Sequence, residues 1–173
     1  MREVIRSNEV EIKTFTTHQV IIRGSGDSKF NNLLNKKLNL LPPSDNLRIV
    51  LDDSHILAKL SYDQWNLIFL EKNDDLKIQN FCDEINKNSE LLATNISDAQ
   101  VFFQISGENT YLMMNKLTHF DFREKNFKPM TAAQTLIARI DCNFYKLHSH
   151  LLVSCNRSFS DYLEDRLIDA VNF

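Results

Sequence analysis

The stretch Asn95-Ile96-Ser97-Asp98-Ala99-Gln100-Val101-Phe102-Phe103-Gln104-Ile105-Ser106-Gly107-Glu108-Asn109-Thr110-Tyr111-Leu112-Met113-Met114-Asn115 decides the fold. Val101 to Ile105 is a β-branched and aromatic run, Ser106 to Asn109 breaks it, and Tyr111 to Met114 resumes at helical density. The pattern predicts strand, turn and helix, with Gly107 free to take angles that a side chain would forbid. The same order occurs once before, as Val20-Ile21-Ile22-Arg23, then Ser25-Gly26-Asp27, then Phe30. Val20 and Val101, Gly26 and Gly107, and Phe30 and Tyr111 each lie 81 residues apart. Agreement of residue type and register predicts two copies of one structural unit.

Working outward, Val4 to Thr14 reads as one strand and His18 to Arg23 as a second. Asp27 or Ser28 caps a helix with Phe30, Leu33, Leu34, Leu38 and Leu41 on one stripe, ended by Pro42-Pro43. Strands follow at Leu47–Leu51, Ile56–Leu60 and Trp65–Leu70, then a helix from about Asp74 to Asn88. Downstream the order recurs: strands at Leu91–Ile96 and Val101–Ile105, and a helix at Glu108–Leu117. A polar-aromatic connection, His119 to Lys128, is stopped by Pro129. Strands at Ala133–Ile140, Phe144–Leu147 and Leu151–Cys155 are expected, with turns at Asp141-Cys142-Asn143 and His148-Ser149-His150. Ser158 caps a last helix carrying Phe159, Tyr162, Leu163, Leu167, Ala170 and Val171. Each half reads strand-strand-helix-strand-strand-strand-helix. Hairpin-rich strands with amphipathic helices predict an α+β fold of antiparallel sheets with helices packed on one side. Residues 1–173 are expected to form a single compact domain with an internal pseudo-repeat, about 4–89 and 91–173.

Composition narrows the function. With 173 residues and 43% hydrophobic content, the chain can bury a core without disulfide or metal staples. A net charge of -3 and scattered Lys and Arg leave no basic stripe for phosphates, so no nucleic-acid partner is expected. No apolar run approaches the roughly 20 residues of a membrane span. Cys82, Cys142 and Cys155 are widely spaced and read as buried, reduced thiols, which suits a cytoplasmic protein.

Three constellations can be weighed for chemistry. Gly24-Ser25-Gly26 sits where backbone donors could hold a phosphate, but Asp27 at the helix start would repel it. His148 and His150 could grip a metal only with a third ligand, and Asp141 is the near acid in sequence. Asp52, Asp53 and His55 read as a turn whose carboxylates bond their own backbone. Trp65 and the twelve Phe read as core. No nucleotide-, flavin- or protease-type motif is present. Catalytic, cofactor-binding and metal residues are all expected to be none.

Several segments carry a resemblance. Ser61-Tyr62-Asp63-Gln64-Trp65-Asn66-Leu67 stands where one family reads gly-pro-asp-glu-trp-leu-leu. Asn95-Ile96-Ser97-Asp98, Ser106-Gly107, Ala133-Gln134-Thr135 and Val153-Ser154-Cys155-Asn156-Arg157-Ser158-Phe159-Ser160-Asp161-Tyr162-Leu163 follow in that family's order. From about His18 to Phe173 the chain resembles the gamma subunit of heterotetrameric sarcosine oxidase, a relative of the glycine-cleavage aminomethyltransferase. It departs from the family at Lys116 to Phe122 (family lys-gly-cys-pro-leu-asp-leu), at Met130 (commonly glycine) and at Glu164 (often tryptophan).

The resemblance implies a folate-binding-type fold with a duplicated unit. It also implies a place in a complex that demethylates sarcosine oxidatively to glycine, with hydrogen peroxide and transfer of the one-carbon unit to tetrahydrofolate. FAD, FMN, NAD, zinc and tetrahydrofolate are then expected in partner subunits, and none in this chain. The expected partners are larger alpha and beta flavoprotein subunits and a small delta subunit, and the isolated chain is expected to be inactive. The folate-site acid of the transferases falls near the Arg139 to Phe144 hairpin, which is expected to be too short for an equivalent pocket, with Asp141 as the only candidate. Cys142 lacks the lys-gly-cys-tyr context of the iron–sulfur maintenance branch. Two alternatives stand beside the subunit reading, a stand-alone tetrahydrofolate-binding transferase and a homo-oligomer without a partner.

Overall fold

The computed structural model describes residues 1–7, 9–71 and 73–171. Its elements in chain order are β1 (Arg2–Arg6), β2 (Glu11–Phe15), β3 (Gln19–Arg23), α1 (Ser28–Leu38), β4 (Ile49–Leu51), β5 (His55–Ser61), β6 (Gln64–Phe69) and α2 (Asp75–Asn86). There follow β7 (Leu92–Asn95), β8 (Gln100–Ser106), α3 (Thr110–Asn115), β9 (Thr131–Ile137), β10 (Ile140–Lys146), β11 (Leu151–Asn156) and α4 (Ser160–Val171). The chain divides into two units, one of residues 17–98 and the other of residues 1–16 with 99–173.

The unit of residues 17–98 is a five-stranded sheet ordered β4-β5-β6-β3-β7, with all described neighbours antiparallel. Alternation along the strands puts Val20, Ile22, Trp65, Leu67 and Ala93 on the face that meets Phe30 and Leu34 of α1 and Ile78 and Ile85 of α2. Trp65 is 1% exposed. Its ring centroid lies 4.3 Å from that of Phe30, with Lys59 Nζ 4.9 Å over the indole. The Asp27 carboxylate caps α1 by accepting from Phe30 N at 2.9 Å. The helix ends at Asn39, whose φ of 52° lets its N–H close on Asn35 O, so it stops before the prolines. Leu41, expected on the apolar stripe, is consequently 64% exposed.

The unit of residues 1–16 and 99–173 is a six-stranded antiparallel sheet ordered β1-β2-β8-β11-β10-β9. One face carries Ile12, Val101, Phe103, Phe144, Val153 and Cys155, packed with Met113 of α3 and Leu163 and Leu167 of α4. Phe120, Phe122 and Phe127 of the long connection complete this core, with Phe120 centred 4.9 Å from Phe122 and 5.1 Å from Phe127. Lys146, itself buried, donates to Phe127 O at 2.5 Å and lies 4.7 Å from the centre of the Tyr111 ring.

The doubled order expected from the sequence is present. Exchanging β3 for β8, β4–β6 for β9–β11 and β7 for β2 converts the five-stranded order into the six-stranded one, in which β1 is an additional edge strand. The units do not follow the sequence halves, however. β2 precedes β3 in the chain but pairs with β8, and β7 precedes β8 but pairs with β3. Each copy therefore lends its first strand to the other copy's sheet, and the boundaries fall at 16/17 and 98/99 instead of near residue 90.

Three local expectations are corrected. The first strand is a hairpin of β1 and β2, turned by Ser7 Oγ accepting from Val10 N at 3.0 Å. Asp141-Cys142-Asn143 lies inside β10. The reversal happens instead at Ala138 and Arg139, with φ of 46° and 73°, the two left-handed residues of a primed hairpin turn. Nothing in an Ala-Arg pair signals such a turn, whereas the alternating Asp and Asn of a half-polar strand imitate one. Finally, Asn156 rather than Ser158 opens the last helical segment, its Oδ1 accepting from Ser158 N at 3.0 Å.

Candidate functional site

The groups singled out in the sequence are mostly engaged in structure. Asp27 spends its carboxylate on the start of α1, and the Phe30 backbone donor holds its pKa below the usual range, so no anion can rest there. Asp52 Oδ1 accepts from Ser54 N at 2.8 Å and His55 N at 2.7 Å. Burial would raise this carboxyl, but those backbone donors and His55 outweigh it and hold it low. His148 and His150 stay in the turn after β10, while Asp141 stands near the other end of that strand. About 17 Å of extended chain separates them, so these groups cannot share a metal. Burial lowers the His150 pKa and so favours the neutral ring.

Cys142 and Cys155 face each other across β10 and β11. Burial pushes them up to about 12 and about 11, so both are protonated at neutral pH and poor nucleophiles. Cys82 is raised for the same reason, and all three are free thiols.

Asp141 stands apart from these groups. It projects from β10 on the face away from Cys142 and Phe144, into a trough of about 610 Å³. Strand alternation brings Gln100 of β8, Asn156 of β11, Asn143 and Asp141 of β10, and Gln134 of β9 to this end of one face. Register sets two rungs: Gln100 is opposite Asn156, which comes level with Asp141 and through it Leu136, and two residues along the strands Asn143 is opposite both Ser154 and Gln134. Gln134 Nε2 donates to Asn143 Oδ1 at 2.9 Å, and Asn143 Nδ2 reaches Ser154 Oγ at 3.4 Å. Gln100 Oε1 is buried and accepts from no described residue. Leu136 and Phe159, each 50% exposed, form apolar parts of the wall. Asp141 makes no hydrogen bond or ion pair among the described residues. The other end of the same face is apolar, with Phe102, Tyr145 and Leu152 buried.

Only Asp141 of this group was marked in the sequence. Gln100, Gln134, Asn143 and Asn156 carry a faint signal, as polar residues at alternate positions of apolar strands. Which strands lie side by side is set by sheet order, which the linear pattern does not contain. Among the described residues no group of three or more His, Cys, Asp or Glu is placed to hold a metal ion, and no helix is long and apolar enough to cross a membrane.

The comparisons with known proteins fit this geometry. The model of the sarcosine oxidase gamma subunit family matches residues 23–172. A chain of the heterotetrameric sarcosine oxidase from Corynebacterium sp. U-96, solved with pyrrole 2-carboxylate, superposes with a TM-score of 0.83 at 18% identity, covering 97% of this chain and 86% of that one. The glycine cleavage system aminomethyltransferase T from Bartonella henselae superposes with a TM-score of 0.59 at 12% identity. That match covers 93% of this chain but 46% of the transferase, so this chain spans about half its length. No curated protein matches by sequence. At these identities the two structures establish the fold, and the match over residues 23–172 establishes the lineage. The chain belongs to the sarcosine oxidase gamma subunit family.

Proposed function

We propose that this chain is the gamma subunit of a heterotetrameric, sarcosine-oxidase-type oxidoreductase, acting as a non-catalytic assembly subunit. The complex converts sarcosine to glycine, yields hydrogen peroxide and passes the one-carbon unit to tetrahydrofolate. FAD, FMN, NAD, zinc and tetrahydrofolate are held by the partner alpha, beta and delta subunits, in the cytoplasm. The carrying observation is the family match across residues 23–172, on a chain whose capping carboxylates and cysteines are committed to structure. Asp27 and Asp52 cap their own backbone, and Cys142 and Cys155 are buried, protonated thiols unsuited to ligate zinc. The stand-alone transferase is the weaker reading, because the matching family is that of the oxidase subunit and this chain spans less than half of the transferase.

Co-expression with the flavoprotein subunits tests the assignment. The expected result is a stable complex carrying flavin that oxidises sarcosine, whose yield and activity collapse when this chain is omitted. A free monomer on size exclusion, with sarcosine oxidation unaffected by its deletion, would overturn it. Calorimetry of the isolated chain with tetrahydrofolate separates the transferase reading, since saturable binding would favour it.

A further inference from the structure

The trough beside Asp141 is built from an unusual set of groups. Gln100, Asn156, Asp141 and Leu136 lie level across the ends of four neighbouring strands, Asn143 and Gln134 stand one rung further along, and Phe159 adds a second half-exposed apolar side chain. A side-chain carboxamide offers the same donor and acceptor as a peptide bond. Four strands at about 4.8 Å spacing span about 14 Å, the length of roughly four extended residues. Gln100 Oε1 is already desolvated without a donor, a state that costs free energy until some N–H arrives. Asp141 lacks a cation among the described residues, and Phe159 and Leu136 leave apolar surface uncovered at the same wall.

We propose that this trough receives an extended segment of a partner subunit, with backbone amides meeting Gln100 and Asn156 and an Arg or Lys of that segment reaching Asp141. The proposal rests on the subunit reading above. Charge complementarity selects the occupant: neutral carboxamides beside one carboxylate that has no cation among the described residues suit a polypeptide bearing a single cation. An acidic ligand would be repelled by Asp141. An apolar one would leave Gln100 Oε1 without a donor and Asp141 without a cation.

The test uses the whole complex, formed by co-expression with the flavin-carrying subunits. Phe159→p-benzoylphenylalanine is irradiated in the assembled complex, with Tyr62→p-benzoylphenylalanine as an exposed control from the other unit. Position 159 is expected to cross-link a partner peptide containing Lys or Arg, and position 62 is not expected to cross-link that peptide. Asp141→Lys should weaken assembly about tenfold or more, with Asp141→Asn weaker in effect. Because the Asp141 side chain holds nothing in place, both variants should melt as wild type does. If Asp141→Lys does not fold, Asp141→Asn and the cross-link carry the test. Dissociation constants within twofold of wild type, a cross-link confined to this chain, or a small molecule found in the trough by native mass spectrometry would each overturn the proposal. Failure of the wild-type chain to enter any flavin complex would remove the subunit reading and this proposal together. A normal complex indifferent to position 141 would remove the proposal alone.

Discussion

Replacing Gly107 and Gly26 by alanine, one at a time, should give very different losses although the two glycines are repeat counterparts. Gly107 has φ of 122°, and a Cβ there would stand 2.1 Å from Glu9 O and 2.8 Å from Glu9 C. Both obstacles are backbone, so β2 and its preceding turn must move. Backbone strain of about 1–3 kcal/mol adds to an overpacking cost of about 1–3 kcal/mol. Stiffening of the unfolded chain returns about 0.4–1 kcal/mol. Gly107→Ala should therefore cost about 2–5 kcal/mol. Gly26 has φ of 69°, inside the left-handed region, and its Cβ would meet Trp65 Cη2 at 2.9 Å. Left-handed strain of about 1–2 kcal/mol with a small ring shift predicts a cost of about 1–2 kcal/mol. Urea unfolding measures both. Far-UV circular dichroism follows the whole chain, and fluorescence of Trp65, the one tryptophan, follows the unit holding Gly26. A Gly107→Ala loss below about 1 kcal/mol, or a larger loss for Gly26→Ala, would refute the close approach of β2 to the glycine turn.

Three further outcomes are expected. Met130 holds φ of 60° where the resembling family commonly has glycine, with its N–H donating to Lys146 O at 2.7 Å. Relief of about 1–2 kcal/mol, offset by about 0.5–1 kcal/mol of glycine entropy, predicts a rise of about 2–4 °C in Tm for Met130→Gly. A lower Tm would contradict it. Lys146→Ala strips Phe127 O of its buried cationic donor and should cost about 2–3 kcal/mol. Lys146→Met keeps the apolar stem but also removes the donor, so it should cost nearly as much, and a Lys146→Met variant as stable as wild type in chemical denaturation would show that the charge contributes nothing. His150 has a depressed pKa in the fold, so the unfolded chain binds its proton more readily. Its contribution is fully present above the unfolded value of 6.5 and is lost as pH falls through the lower folded value. His150→Gln should flatten the pH dependence of unfolding free energy below 6.5, and an unchanged slope would reject the assignment.

The duplicated order of strands and helices was legible because it depends on local physics. β-branched runs, glycine turns and amphipathic stripes recur at an 81-residue offset, and each copy carries a left-handed glycine at its strand-to-helix turn. Family segments spread along the chain were equally readable, since they are linear. Local signals misled where backbone strain replaced turn chemistry. Ala138 and Arg139 reverse the chain, while Asp141 and Asn143, which look like turn residues, are the polar face of a strand.

Two things were settled only by tertiary structure. Two like copies leave self-pairing and exchange with the same strand pattern, so the sequence could not show that β2 and β7 change sheets. The Asp141 trough draws on β8, β9, β10 and β11, residues as far apart in the chain as Gln100 and Asn156. Their adjacency follows from the register of long-range pairing, and a one-residue slip would turn every carboxamide to the opposite face.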